Sequence, residues 1–559
     1  MSQREEKRRM GTRNGGLHSD QASDQMASLS GREAQSGGQS ALREHPWISD
    51  QGDGTYINPV LHADYSDPDV IRAGSDFYMT ASSFGHLPGL PILHSRDLVN
   101  WRLIHHAVPR MPLDGYDVPQ HGNGVWAPSL RYHDGRYWIF YGDPDVGILM
   151  TTAVDPAGEW TPLHVVKFGK GLIDVCPFWD EDGRAYLIHA YAHSRSGIKH
   201  KLAVCSMSAD GKRLLDEGRI VYDGTETHPT LEGPKLYKRN GFYYIFAPAG
   251  GVSTGWQTVF RSTSIWGPYE DKIVLHQGQT PVNGPHQGGW VELESGESWF
   301  VHFQDKGPYG RVVHLQPMSW EKDWPVMGER REGDPIGEPV LRYRKPDAGC
   351  ACPVEVPAAS DEFDAPKLGL QWQWQANPQE NWYSLGARAG SIRLYAVGQN
   401  NGGLYAAPNL LLQKFPAPEF QAACELDPSG LGAGDSGGLI VFGYRYGCLA
   451  VRRSDEDAAN GSLTLFLAAG DKAGEEEAWS LSLAETDRIL LRVEVRIDAS
   501  CHFSYSLDRV SYKAIPAGAF QASEGHWVGA KLGLFASGSG GGCMDADWFR
   551  VSKRDGSHE

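Results

Sequence analysis

Three acidic residues, spread through the first half of the chain, could do chemistry together. Asp67 lies in Asp64-Tyr65-Ser66-Asp67-Pro68-Asp69, Asp174 in Leu172-Ile173-Asp174-Val175-Cys176-Pro177, and Glu232 in Leu231-Glu232-Gly233-Pro234. Each precedes one copy of a recurring strand-and-turn pattern. A fold that closes such copies into a ring brings the three acids to one centre. Converging carboxylates are what hydrolysis of a glycosidic bond requires, since one must protonate the leaving oxygen while another acts on the opposite face of the sugar.

The elements that must position them are hairpins. The pattern is a turn followed by an aromatic-rich strand: Gly74-Ser75-Asp76-Phe77-Tyr78-Met79, Asp134-Gly135-Arg136-Tyr137-Trp138-Ile139, Asp182-Gly183-Arg184-Ala185-Tyr186-Leu187, Asn240-Gly241-Phe242-Tyr243-Tyr244-Ile245 and the weaker Ser295-Gly296-Glu297-Ser298-Trp299-Phe300. Asp-Gly and Asn-Gly between apolar runs are hairpin signals, because both residues tolerate positive φ. Aromatic and β-branched residues suit a pleated, half-buried surface. Copies recur about every 50–60 residues, the range of propeller blades. Outer returns follow the first two copies at Ser95–Trp101 and Asp155–Trp160. The pattern predicts an all-β chain that begins with a five-bladed β-propeller.

Composition agrees. The chain has 559 residues with 67 Gly and 34 Pro, which fits many tight turns and few long helices. Its length favours two domains over one core. The net charge of −17 makes a polyphosphate a poor partner, so nucleic acid is excluded as a target. No apolar run is long enough to span a membrane, and no secretory signal is evident, which predicts a cytoplasmic protein. Eight Cys include no Cys-x-x-Cys pair, only Cys350-Ala351-Cys352. They read mostly as reduced core residues and not as a zinc site. Residues 1–48 are polar and rich in Gly, Ser and Gln, a composition expected to be disordered. The propeller is expected over 49–335 and a linker over 336–357. A β-sandwich is expected over 358–555, from short apolar strands such as Leu439–Tyr444, Leu463–Leu467, Ile489–Val495 and Lys531–Phe535.

These residues resemble glycoside hydrolase family 43, the β-xylosidase and α-L-arabinofuranosidase group. The matching strings are Asn58-Pro59 with Ser66-Asp67-Pro68-Asp69, Trp126-Ala127-Pro128, Ile173-Asp174, Glu232-Gly233-Pro234, and Gly310-Arg311 with Leu315 and Pro317. Val175-Cys176-Pro177 departs from the Asp-Pro that many relatives carry after the second acid. The region from about Asp361 to Arg550 resembles the concanavalin-like, jelly-roll sandwich that follows the propeller in many members. The resemblance implies an inverting exo-glycoside hydrolase that releases terminal β-D-xylose, α-L-arabinofuranose or both from xylan- or arabinan-derived oligosaccharides. It implies Asp67 as general base, Glu232 as general acid and Asp174 as the neighbour that orients the acid and tunes its pKa. Glu232 must then hold its proton near neutrality, which calls for a raised pKa. Arg311 resembles a family arginine that reaches sugar hydroxyls, Trp126 and Phe84 could wall a pyranose face, and His286 resembles a family histidine near the base of the channel. No cofactor is required. A calcium ion near His286, or in the sandwich near Asp361 or Asp547, is an allowed addition, although one imidazole is no calcium ligand set. Two alternatives stay open: a retaining fructosidase-type hydrolase on a similar scaffold, and a non-catalytic glycan-binding protein.

Overall fold

Asp134 and Asn240 take φ values of 49° and 50°, and the glycines after them take 70° and 80°. Two consecutive positive values make the turn whose twist matches the strands it joins. The first turn joins Trp126–His133 to Arg136–Asp143, and the second joins Lys235–Arg239 to Phe242–Ala249. In the computed structural model, each of the five predicted hairpins opens one antiparallel sheet. The model describes residues 44–349, 351–398, 403–454, 461–484, 488–538 and 541–554. The tail through residue 43, expected to be disordered, lies outside them.

The first sheet runs through Asp69–Ala73, Asp76–Thr80, Gly89–Ser95 and Trp101–Val108. The second is Trp126–His133, Arg136–Asp143, Gly147–Ala153 and His164–Phe168. The third is Leu172–Trp179, Ala185–Tyr191, Lys201–Met207 and Arg219–Asp223. The fourth is Lys235–Arg239, Phe242–Ala249, Trp256–Ser262 and Glu270–Leu275, extended by Gly337–Glu338 and Glu329–Arg330. The fifth is His286–Glu292, Ser298–Asp305, Arg311–Glu321 and Trp324–Met327.

Period-2 alternation sends side chains of one strand into two apolar layers. Tyr137, Ile139 and Tyr141 pack toward the first sheet with Ile92 and Val108. Trp138 and Phe140 pack the other way, with Val175 and Leu187 of the third. Similar layers join the third sheet to the fourth and the fourth to the fifth. Another joins Trp299 and Val301 of the fifth to Phe77 and Met79 of the first. The segment before the first sheet is bonded to the fifth: Asn58 Nδ2 donates to Leu315 O and Val340 O, and Leu315 N donates to Asn58 Oδ1. The stretch read as a linker contributes structure of its own. Arg342–Arg344 pairs with Thr55–Ile57, and Gly337–Glu338 lies beside Glu270–Leu275.

Residues from about 360 to 552 form two further sheets, one of six strands and one of eight, around a shared apolar core. Cys176, Cys205, Cys424, Cys448 and Cys501 are free and buried, Cys543 is free, and Cys352 is disulfide-bonded.

One layer inside the acids, the leading strands share a buried ionic network. Asp69 Oδ2 accepts from Leu130 N (2.8 Å) and Arg131 Nη1 (2.7 Å) and lies 3.7 Å from Lys235 Nζ. Lys235, fully buried, donates to Pro128 O and Ser129 Oγ. Cys176 Sγ accepts from Arg131 Nη2 and Leu236 N. A Cβ on Gly289 of the fifth sheet would come within 2.7 Å of Asp69 Oδ1, so that position must be glycine. Breaking a buried pair by removing one partner costs about 3–5 kcal/mol, because the other charge is left uncompensated. Asp69→Asn, which leaves Arg131 and Lys235 buried without their counter-charge, is therefore expected to lower stability by about that amount in chemical denaturation. A loss under ~1 kcal/mol would show that the network carries little.

Candidate active site

Each leading strand has a residue of positive φ within two positions of its start: Asp67 (53°), Ala127 (38°), Asp174 (56°), Gly233 (59°) and Gln287 (38°). Register shifts accompany the second, third and fifth, the third lying between Ile173 and Cys176. A left-handed residue or bulge interrupts the pleat and re-aims side chains out of the apolar layers. For a residue other than glycine such backbone costs about 1–3 kcal/mol and clusters at functional sites.

Asp67, Asp174 and Glu232 line one cavity of about 360 Å³, together with Arg311, Trp126 and Phe84. Their surroundings differ. Asp67 is buried and accepts from several donors: Ser66 Oγ (2.8 Å) and Ser82 Oγ (2.6 Å) at Oδ2, and Arg311 Nη1 (3.3 Å) at Oδ1. Ala127 N holds Ser82 Oγ in place at 2.8 Å. Glu232 is partly open to the cavity, and its Oε1 lies 3.0 Å from His286 Nε2. His286 is fully buried behind Glu232 and does not line the cavity itself. Asp174 accepts Gly233 N at 2.8 Å. Burial, then the Glu232 charge, push the Asp174 carboxyl up to about 8. The Gly233 N–H opposes this and Asp67 adds to it. The Asp174 side chain is enclosed, whereas that of Glu232 is partly open to the cavity.

The aromatic wall holds a residue that sequence reasoning missed. Phe84 and Trp126 meet edge to face at 6.4 Å, and Trp126 meets Trp527 at 6.2 Å. Trp527 belongs to the sandwich region, lines the cavity and is 44% exposed. The Arg311 guanidinium lies 5.7 Å from its ring. Asp64, buried, fixes this junction: its two oxygens accept Arg311 N and Gly529 N. The signal in the sequence was Gly525-His526-Trp527-Val528-Gly529, an aromatic pair between glycines. Nothing local ties that loop to acids so far away in the chain.

Residues 56–325 match the model of glycosyl hydrolases family 43, and 360–552 match that of the beta xylosidase C-terminal concanavalin A-like domain. A protein of Xylanibacter ruminicola is 42% identical over 492 residues, covering 87% of each chain. The chain belongs to glycosyl hydrolase family 43. Family likeness extends to the beta-xylosidase of Formosa agariphila, 32% identical over 89% of this chain and 90% of that one. The non-reducing end alpha-L-arabinofuranosidase of Bacteroides ovatus is 29% identical over 89% and 94%. Among solved structures, a family 43 protein of Bacillus licheniformis superposes with a TM-score of 0.77 at 26% identity, over 89% of this chain and all of that one. The protein is thus a glycoside hydrolase.

The family site contains no clustered metal donors: among the described residues no three His, Cys, Asp or Glu side chains group as ligands. Asp361 spends its oxygens on Phe363 N, Gly369 N and Trp372 Nε1, and Asp547 on Ser391 and Arg488. Those donor sets do not fit a hard cation, which wants several free oxygens. The junction yields a prediction for this family member. Trp527→Ala should lower kcat/KM on oligosaccharides by roughly tenfold, the loss expected for an aromatic contact. Unchanged steady-state kinetics would remove Trp527 from the site.

Proposed function

We propose that this glycosidase is an inverting exo-enzyme acting on terminal β-D-xylose, α-L-arabinofuranose or both in xylan- or arabinan-derived oligosaccharides. Three acids around one small hollow, each with different partners, carry the reading. The five sheets are read as blades of a five-bladed propeller (about 49–335) and the later pair as a jelly-roll sandwich (about 358–555). The apolar layer between the fifth and first sheets supports ring closure. The names of the Formosa and Bacteroides relatives support the sugar class. A cavity at the small end of ligand sites, walled on one side by Trp527, suits removal of one terminal unit.

Asp67 is the general base. Both of its oxygens accept hydrogen bonds, which fix the carboxyl in place, and further lone pairs remain to take a proton from water. Arg311 holds the base and offers donors to sugar hydroxyls. Glu232 is the general acid. With His286 Nε2–H donating to Oε1, the carboxyl proton sits on Oε2, free for the glycosidic oxygen. Asp174 stands beside it as a second carboxyl group. Two neighbouring carboxylates resist double ionisation, so the pair keeps one proton into neutral pH. Trp126 and Phe84 supply the apolar face against which the sugar packs.

Aryl glycosides of xylose, arabinofuranose and galactose, followed by proton NMR of the first-formed sugar, test the reading. Inversion on one or both pentosides is expected, and retention would contradict the roles given to Asp67 and Glu232. Glu232→Gln should cost roughly 10²–10⁴-fold in kcat on natural oligosaccharide, and much less on a substrate with a good leaving group. The alkaline limb of kcat should lie above the ordinary carboxylate range, where the pair loses its shared proton. Asp174→Asn removes the second carboxyl group, so that limb should move to lower pH. A limb that stays put would separate Asp174 from the acid.

A further inference from the structure

The six-stranded sheet of the sandwich has two different faces. Leu439, Val441, Leu449 and Leu465 enter the main core, while the alternate residues Ile440, Cys448, Ala450, Phe466 and Phe535 build a separate cluster on the other side. The register sets Phe535, Gly438, Ala450 and Phe466 in one rung across four strands. The two central residues carry no more than a methyl group, so the phenyl rings at either side stand above a gap. The neighbouring rung is Ser537, Ser436, Arg452 and Thr464. A cavity of about 440 Å³ opens here, sharing no lining residue with the one that holds the three acids. Both phenylalanines, both serines, Arg452 and Glu475 line it. The other end of this face is covered, with His121 against Tyr405 and Phe442.

The polar groups define the ligand. The Arg452 guanidinium lies 4.8 Å from the Phe466 ring, and its Nη2 is 3.2 Å from Glu477. Glu475 accepts the Tyr446 hydroxyl at 2.9 Å and keeps further lone pairs for a ligand. One cation between two carboxylates gives no attraction for phosphate, sulfate or a uronic acid. A planar donor, a carboxylate acceptor and two hydroxyls in a cavity also lined by two phenylalanines suit a ring with vicinal hydroxyls and one apolar face. We propose that this cavity binds a neutral sugar residue of a glycan chain, as a second carbohydrate site apart from the hydrolytic one. It would hold the polymer near the enzyme while chain ends are processed, raising their effective concentration.

Only the choice of probe rests on the hydrolytic reading. Full-length protein is run through native gels containing soluble arabinoxylan or soluble arabinan. Retardation is expected in at least one of them, with apparent affinity reduced by ~tenfold or more in Arg452→Ala and in Ser436→Trp, which fills the gap. Melting midpoint and turnover of an aryl glycoside should stay unchanged in both variants. Arg452 is half-exposed, so its variant carries the test if the tryptophan variant does not fold. No retardation of the wild-type chain in either gel overturns the proposal. So does retardation that survives Arg452→Ala, or that is lost in Trp527→Ala alone. Loss of aryl glycoside turnover by itself concerns the hydrolytic cavity and not this site.

Discussion

The structure depends on a buried charge network in which Asp69 meets Arg131 and Lys235. Charges so enclosed persist only when paired and hydrogen-bonded, because desolvating a lone ion costs far more than one protein contact returns. Here the pairing partners come from different sheets. Asp69 belongs to the first, Arg131 to the second, Cys176 to the third and Lys235 to the fourth, and Gly289 of the fifth makes room for the carboxylate. The network therefore rewards one mutual register of the leading strands. Asp67, Asp174 and Glu232 sit two or three residues upstream, Asp174 on the same strand and the other two just before theirs. Fixing the network fixes the acids.

Three carboxylates of similar intrinsic acidity are then differentiated by their surroundings. Asp67 faces two hydroxyls and a guanidinium, Glu232 leans on one imidazole, and Asp174 is enclosed with a single backbone donor. Burial and then the Glu232 charge, not residue type, raise the Asp174 carboxyl. Left-handed backbone at the strand entrances is the local cost of aiming these groups inward, and the apolar layers on both faces of each sheet offset it.

The cavity lined by the three acids is not the work of the first five sheets alone. Asp64 joins the Arg311 backbone to the Gly529 backbone, and Trp527 enters the wall beside Trp126. A glycine at 310 is required at this junction, since a Cβ there would come within 2.5–2.6 Å of the Asp64 side chain. The sandwich is thereby a structural part of the site, which gives a physical reason for the two regions to occur in one chain.

Much was legible in the amino-acid order. Asp134-Gly135 and Asn240-Gly241 specify their turns because few other residues tolerate two successive positive φ values. Alternation within Tyr137–Tyr141 specifies a strand buried on both faces. The acid motifs, ahead of each hairpin, marked which residues would converge. Asn58 and Leu315 were visible as motif positions, but their mutual hydrogen bonds were not. Other features needed tertiary structure because their causes act across long sequence separations. Lys235 reads as an ordinary strand lysine until Asp69 arrives beside it. Ser82 reads as a loop serine until it meets Asp67. Trp527 reads as a turn aromatic until Asp64 anchors its loop. Local sequence determined the turns, the strands and the identity of the acids, since these follow from short-range sterics and periodicity. Only the packed chain decided which carboxyl is buried, which donor each one meets and which aromatic closes the hollow, because desolvation and hydrogen-bond geometry do not exist until distant segments touch.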